Sequence, residues 1–218
     1  MGADRSTGAL DGSDFLPPPG RRSLPQLARA AEGCEGCELF AGATQVVFGE
    51  GPADARMVLV GEQPGDQEDQ QGRPFVGPAG RLLAEGLEAA GIVRDEVYVT
   101  NAVKHFYFVE RGKRRLHQKP KVRHVRACEP WLRCELDAIR PRVTVALGAT
   151  AGLSLLGAKY RLTQQRGLVL QSEWVKGAVV GTIHPSALLR MPSHLDRDAA
   201  FAEFVRDLKV AKAAQKRG

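Results

Sequence analysis

A carboxylate, an amide and an imidazole each close an apolar run in this chain, and these residue types can do chemistry. Met57-Val58-Leu59-Val60 leads into Gly61-Glu62-Gln63-Pro64-Gly65-Asp66. Val97-Tyr98-Val99-Thr100 ends at Asn101, and Ala178-Val179-Val180-Gly181-Thr182-Ile183 delivers His184-Pro185-Ser186. A carboxylate can take a proton or hold positive charge; an amide side chain donates and accepts; an imidazole does either near neutral pH. A second set is Cys34-Glu35-Gly36-Cys37, whose spacing signals a metal or redox site, with Cys128 and Cys134 further along. A third set is cationic. From Lys104 to Arg126 there are nine Lys or Arg residues against one acid, Glu110, and His117 lies in the densest part. Such one-signed density favours phosphate contact.

The elements that must position these groups follow from the apolar pattern. Residues 57–60, 97–101, 143–148 and 178–183 read as buried strands, and a short one is expected within 167–170. Between them lie helical patterns: one after Pro78 through Leu82, Leu83 and Leu87, one through Val125, Cys128, Trp131, Leu132 and Leu136 that Pro141 stops, and one over 149–156. A closing helix spans roughly 195–214. Strands alternating with helices predict an α/β fold, a parallel sheet covered on both sides. The carboxyl ends of parallel strands share one edge, where open α/β sheets bind ligands, so Glu62 to Asp66, Asn101 and His184 should converge there. Gly112 and Pro120 mark the basic run as a loop. Residues 1–23, rich in Gly, Ser, Asp and Pro, read as a disordered tail, and residues 24–218 as a single domain.

At 218 residues and 43% hydrophobic the chain can bury a substantial core. A net charge of +6 suggests a polyanionic partner. No stretch has the length of a membrane span and no leader pattern opens the chain, so a cytoplasmic protein is expected. In that compartment four cysteines serve as ligands or buried thiols rather than disulfides. A thioredoxin-like role for Cys34 and Cys37 is disfavoured, because no strand precedes them.

Gly61-Glu62-Gln63-Pro64-Gly65, Gly72-Arg73-Pro74-Phe75-Val76-Gly77, Thr100-Asn101, Ala127-Cys128-Glu129-Pro130-Trp131-Leu132 and His184-Pro185-Ser186-Ala187-Leu188-Leu189-Arg190 together resemble the iron–sulfur uracil-DNA glycosylases. The inserted Lys113-Arg114-Arg115-Leu116-His117 resembles the loop of one branch, UdgX, whose members bind uracil in DNA and become covalently attached to the abasic site. The resemblance implies a three-layer α/β/α fold on a mainly parallel, four-stranded sheet, acting as a monomer on uracil-containing, preferably single-stranded DNA. It implies that Phe75 stacks on the flipped uracil, that Asn101 reads its edge, and that Gln63, Gly65 and Asp66 complete the pocket. His184 would hydrogen-bond the base as negative charge builds on it. Lys113, Arg114, Arg115 and Ser186 would contact DNA. His117 would attack C1′ of the sugar, with Glu62 holding the proton of the other imidazole nitrogen.

The resemblance also implies a [4Fe–4S] cluster on Cys34, Cys37, His105 and Cys128, where other members carry a cysteine in place of His105. Cys134 is the competing fourth ligand. It lies six residues from Cys128 on one predicted helix, more than half a turn from the same face, and reads as a buried thiol. Zinc remains chemically open for three Cys and one His. Two other functions stay open on the residues alone. One is a hydrolytic, multiple-turnover uracil-DNA glycosylase. The other is a non-catalytic iron–sulfur protein that binds nucleic acid or senses redox state.

Overall fold

The computed structural model describes residues 10–217. Its centre is a five-stranded sheet in the order β2-β1-β5-β7-β6, comprising β1 (Met57–Gly61), β2 (Val97–Asn101), β5 (Val143–Leu147), β6 (Val169–Leu170) and β7 (Ala178–Thr182). The first four in that order pair in parallel, while the two-residue β6 runs antiparallel along β7. Four parallel strands match the expected core, and β6 adds a short edge.

Period-two alternation sends side chains to both faces of the sheet. Met57, Leu59, Val97, Val99, Val143, Val145 and Leu147 pack under α3 (Pro78–Ala89) and α6 (His194–Arg217), through Leu83, Leu87, Phe204 and Leu208. Val58, Val60, Tyr98 and Ala146 face the other way, onto α4 (Val122–Ile139) and α5 (Ala149–Leu156), through Leu132, Leu136, Ala151 and Leu155. Both faces are apolar because both are covered, which gives the three-layer α/β/α arrangement. No helix among the described residues is long and apolar enough to cross a membrane.

Three stretches differ from the sequence expectation. The long Gly/Pro loop after β1 contains a short helix, α2 (Asp66–Gln71), entered at Gly65 and left through Gly72 in a left-handed conformation. The basic loop is a two-stranded hairpin of β3 (Phe108–Arg111) and β4 (Arg114–His117), which pairs Phe108 with His117 and turns at Gly112, where φ is +61°. Gly112 does break the run, but between strands; charge density masked the alternation on either side. The tail expected through residue 23 is packed from residue 11 on. Asp11 caps a 3-10 turn over Gly12–Phe15, and Phe15 and Leu16 lie against Leu27, of α1 (Leu24–Ala31), and Trp131. Gly12 permits this, since a Cβ there would sit 2.8 Å from the Trp131 ring. The remainder of that expectation, residues 1–9, lies outside the described residues.

Candidate functional site

At the carboxyl edge of the sheet a cavity of about 720 Å³ is lined by Glu62, Gly65, Glu68, Phe75, Asn101, His117, Thr150, His184, Ser186 and Arg190, among others. Each of β1, β2, β5 and β7 ends at its rim, so parallel pairing alone gathers residues 62, 101, 150 and 184 from four separate stretches of chain. Gly61 lies against two of these residues: an added Cβ would lie 2.3 Å from Asn101 Oδ1 and 2.8 Å from Phe75 Cζ. Glycine at this position lets the amide and the ring approach each other.

Phe75 adopts φ +57°, which a bulky residue rarely does. Backbone strain of this kind persists where the surroundings over-determine it. Here Gly80, at the start of α3, allows close approach, since a Cβ there would fall on the Phe75 carbonyl. Glu68 closes the same loop from within, accepting Gly65 N–H at 3.1 Å and Gly77 N–H at 2.7 Å. The Phe75 ring faces the His184 imidazole, with centroids 6.3 Å apart and planes at 28°.

The tautomer of His184 follows from its partners. Its Nδ1 accepts the Ser186 backbone N–H at 3.1 Å and lies 2.9 Å from Ser186 Oγ, which accepts in turn from Arg190 at 3.1 Å. A backbone N–H can only donate, so the neutral ring carries its proton on Nε2. Burial lowers the pKa of His184 to about 4, and the charges of Arg190 and His117 act in the same direction. His184 is therefore a neutral donor at physiological pH.

His117, half exposed at the end of β4, brings Nε2 to 3.7 Å from Glu62 Oε1. That separation is too long for a hydrogen bond. Burial lowers the His117 pKa; the Glu62 charge opposes this and Arg190 reinforces it. The second carboxylate oxygen, Glu62 Oε2, accepts the Thr150 hydroxyl. Thr150 sits three residues past the end of β5, and like Glu68 and Arg190 it is a site residue to which the sequence reading gave no role. Glu68 lies three residues after Gly65 in the manner of a helix-capping acid, and Thr150 follows the Gly148 turn.

Two expected placements change, and Gln63, which lines the cavity as expected, has its amide engaged by the hairpin. The Gln63 amide donates to the Tyr107 and Gln118 carbonyls at 3.1 and 3.2 Å, and its oxygen lies 3.3 Å from Tyr107 N. It therefore ties the two ends of the hairpin together. Asp66 lies outside the cavity lining and pairs with Arg115 at 2.6 Å. Arg115, expected on phosphate, also bonds the fully buried Asp69 at 2.6 Å and lies over the Phe106 and Phe108 rings at 5.5 and 5.0 Å. Its charge is spent inside the protein because β-alternation turns it inward, together with His117. Arg111, Lys113 and Arg114 are exposed. Ser186 lines the cavity and bonds His184.

Cys128 and Cys134 are carried by α4, and Cys34 and Cys37 by the stretch that follows α1. Cys37 and Cys128 are within hydrogen-bonding reach of each other. The Cys37 thiol is lowered to about 7, first by Cys128 and also by the Leu39 backbone, while Cys128 is raised, by Cys37 and by burial. Cys34 accepts the Trp131 indole N–H at 3.2 Å. Burial lowers the pKa of His105 to about 4, so its imidazole is unprotonated, as a metal ligand must be. Soft sulfurs with N–H donors and a neutral imidazole suit iron–sulfur ligation in donor chemistry. No three potential ligands among the described residues gather at single-ion spacing. Cys134 packs with Cys34, in a different apolar cluster from Cys128, and its sulfur lies 3.6 Å from Arg22.

An α/β sheet whose four parallel strands deliver a carboxylate, an amide, a hydroxyl and a neutral imidazole to one cleft defines a strand-end ligand-binding fold. A model of the uracil DNA glycosylase superfamily matches residues 48–209. The type-4 uracil-DNA glycosylase of Thermotoga maritima is 43% identical over 164 residues, which are 74% of this chain and 80% of that protein. The type-4 enzyme of Pyrobaculum aerophilum is 33% identical over 194 residues, 86% of this chain and 92% of its own length. A type-5 uracil-DNA glycosylase from Pyrobaculum aerophilum is 33% identical over 156 residues, 63% and 64% of the two chains. The chain belongs to the uracil DNA glycosylase superfamily.

Proposed function

We propose that this protein is a uracil-DNA glycosylase of the UdgX type. It takes uracil from DNA, cleaves the N-glycosidic bond and becomes attached through His117 to C1′ of the abasic sugar. The observation that carries this reading is the hairpin: its inward face brings His117 to the rim of a cavity lined by Glu62, Asn101 and His184.

The flipped base lies over Phe75, and the Asn101 amide pairs with O4 and N3–H of uracil. The C1′–N1 bond breaks and its electron pair leaves with the base, whose growing negative charge is met by the Nε2–H of neutral His184. Glu62 faces the positive charge left on the sugar. The His117 nitrogen turned toward Glu62 is Nε2, so it forms the bond to C1′, and the Nδ1 proton is lost to solvent. Glu62 then acts on the charge of the sugar and the imidazolium rather than holding the second imidazole proton. The N–C bond formed has no good leaving group, and each protein molecule reacts once. Unpaired strands react faster because flipping costs less there. Lys113, Arg114 and Arg111 meet phosphates, so capture before bond formation weakens with salt while the adduct does not. The monomer binds DNA without a partner.

Cys34, Cys37, His105 and Cys128 hold a [4Fe–4S] cluster in this reading, and its contribution is structural. It joins the Cys34–Cys37 segment to α4 and to the stretch that follows Asn101.

A denaturing gel of protein incubated with uracil-containing single-stranded DNA tests the reading. A shifted band that survives heat and detergent, and is lost in His117→Ser, is expected. Free abasic product with no shifted band would instead establish the hydrolytic alternative.

A further inference from the structure

Beneath the cavity lies a charge pair that the mechanism above does not use. Lys104 and Glu135 are 1% and 0% exposed and form a direct salt bridge. The ammonium has three protons and three partners: Glu135, Thr100 Oγ1 at 2.7 Å and the Asn101 carbonyl at 2.8 Å. Glu135, from α4, also accepts the Tyr98 hydroxyl at 2.9 Å, Thr100 Oγ1 at 2.9 Å and Gly49 N–H at 3.2 Å. Two of the three ammonium contacts fall on the last two residues of β2. The second of these residues carries the amide that lines the cavity.

A buried ion pair seldom stabilises a fold more than an apolar pair of the same volume. A neutral donor would also suffice for the Asn101 carbonyl. With all three of its protons committed to separate partners, the ammonium holds the Asn101 carbonyl from one fixed point. The Asn101 amide must present its oxygen and nitrogen in one order, because exchanging them converts a match for uracil into a match for cytosine. No side-chain hydrogen bond fixes that amide among the described residues; it rests against Gly61, with its peptide held at the carbonyl by Lys104. We propose that Lys104, anchored by Glu135, is a positioning residue for base recognition: it fixes the Asn101 peptide so that the amide reads uracil.

This inference rests on Asn101 being the base reader of the proposed function, but it does not depend on covalent attachment. The test is binding of free uracil by calorimetry, which needs no turnover, alongside affinity for a uracil-free oligonucleotide. The double variant Lys104→Met/Glu135→Gln removes both charges and keeps an oxygen for Tyr98, Thr100 and Gly49. It should melt near the parent and bind the oligonucleotide equally, yet bind uracil about tenfold more weakly, the scale of one well-placed hydrogen bond. A merely structural pair would lower both affinities together, and that result, or unchanged uracil binding in a folded variant, overturns the inference. If the double variant does not melt cooperatively, Lys104→Arg decides. Its planar fork keeps the charge near Glu135 but cannot direct one nitrogen at three partners, and parental uracil binding in that variant would overturn the inference. Parent protein that binds uracil but forms no DNA adduct would count against the covalent reading alone.

Discussion

Arg115→Met should separate uracil release from covalent attachment. Arg115 anchors the hairpin to α2 through Asp69, which is fully buried, and through Asp66, which is 44% exposed. The charge-assisted bond to Asp69 is worth about 2 kcal/mol, because Thr44 N–H remains on that carboxylate after the change. The arm to half-exposed Asp66 adds about 0.5 kcal/mol after screening, and stacking over Phe106 and Phe108 about 0.5 kcal/mol. Together these hold the hairpin by about 3 kcal/mol, a factor of about a hundred in its docked population. His117 sits at the end of that hairpin, whereas Asn101, Phe75 and His184 do not. Single-turnover assays that quantify released uracil and gel-shifted adduct in parallel should show adduct formation slowed about a hundredfold and uracil release within about threefold of the parent. Free abasic product should accumulate. Asp66→Asn should cost only about threefold in attachment, given its exposure. Parallel loss of both activities would place Arg115 in base excision itself, and an unchanged attachment rate would show that the hairpin needs no clamp.

Gly61→Ala should abolish uracil release while leaving the sheet folded, because the new methyl would overlap Asn101 Oδ1 and Phe75 Cζ; uracil quantification together with circular dichroism checks this. Thr150→Val removes the hydroxyl from Glu62 and should slow bond cleavage about tenfold, while Thr150→Ser restores it, as measured in single-turnover kinetics. Attachment should be lost only as pH falls below the ordinary imidazole range, since burial lowers both His117 and His184, the latter to about 4, and both act neutral; a pH–rate profile checks this. Arg190→Met removes a cation that opposes their protonation, so both pKa values rise and the fall in rate shifts to higher pH; a rate profile that does not move would refute that electrostatic role.

The fold was legible where burial is simplest. Four β-rich runs announced four parallel strands, and their shared polarity predicted the meeting of Glu62, Asn101 and His184. What stayed hidden depended on partners distant in sequence. Arg115 looked like any arginine in a basic run until the pairing of Phe108 with His117 decided which face it occupied. Asp66 looked like a pocket residue because it follows Glu62, yet it holds the inserted hairpin, while Gln63 both lines the cavity and bonds the two ends of that hairpin. Thr150 and Glu135 carry no local signal at all: one is a small residue after a glycine, the other an acid on an amphipathic helix. Their significance comes only from what β1 and β2 bring beside them. The packing of residues 11–16 was missed for a related reason, since a Gly-rich stretch with few apolar groups can still be bound if one glycine fits against a tryptophan.

Under the proposed function, one carboxylate serves two chemistries on the same scaffold. Thr150 occupies one oxygen of Glu62, which leaves the other facing the cavity. Without the hairpin, that oxygen would face solvent and could orient water toward the sugar. With it, the imidazole of His117 faces that oxygen, with Nε2 3.7 Å away, and stands where a water would otherwise be oriented. Arg115 ties the insertion to α2, and Gln63 ties it to the loop after β1 that carries Glu62. Under the proposed function, attachment rather than turnover follows from where the hairpin is anchored, with no change needed in the residues that recognise and release the base.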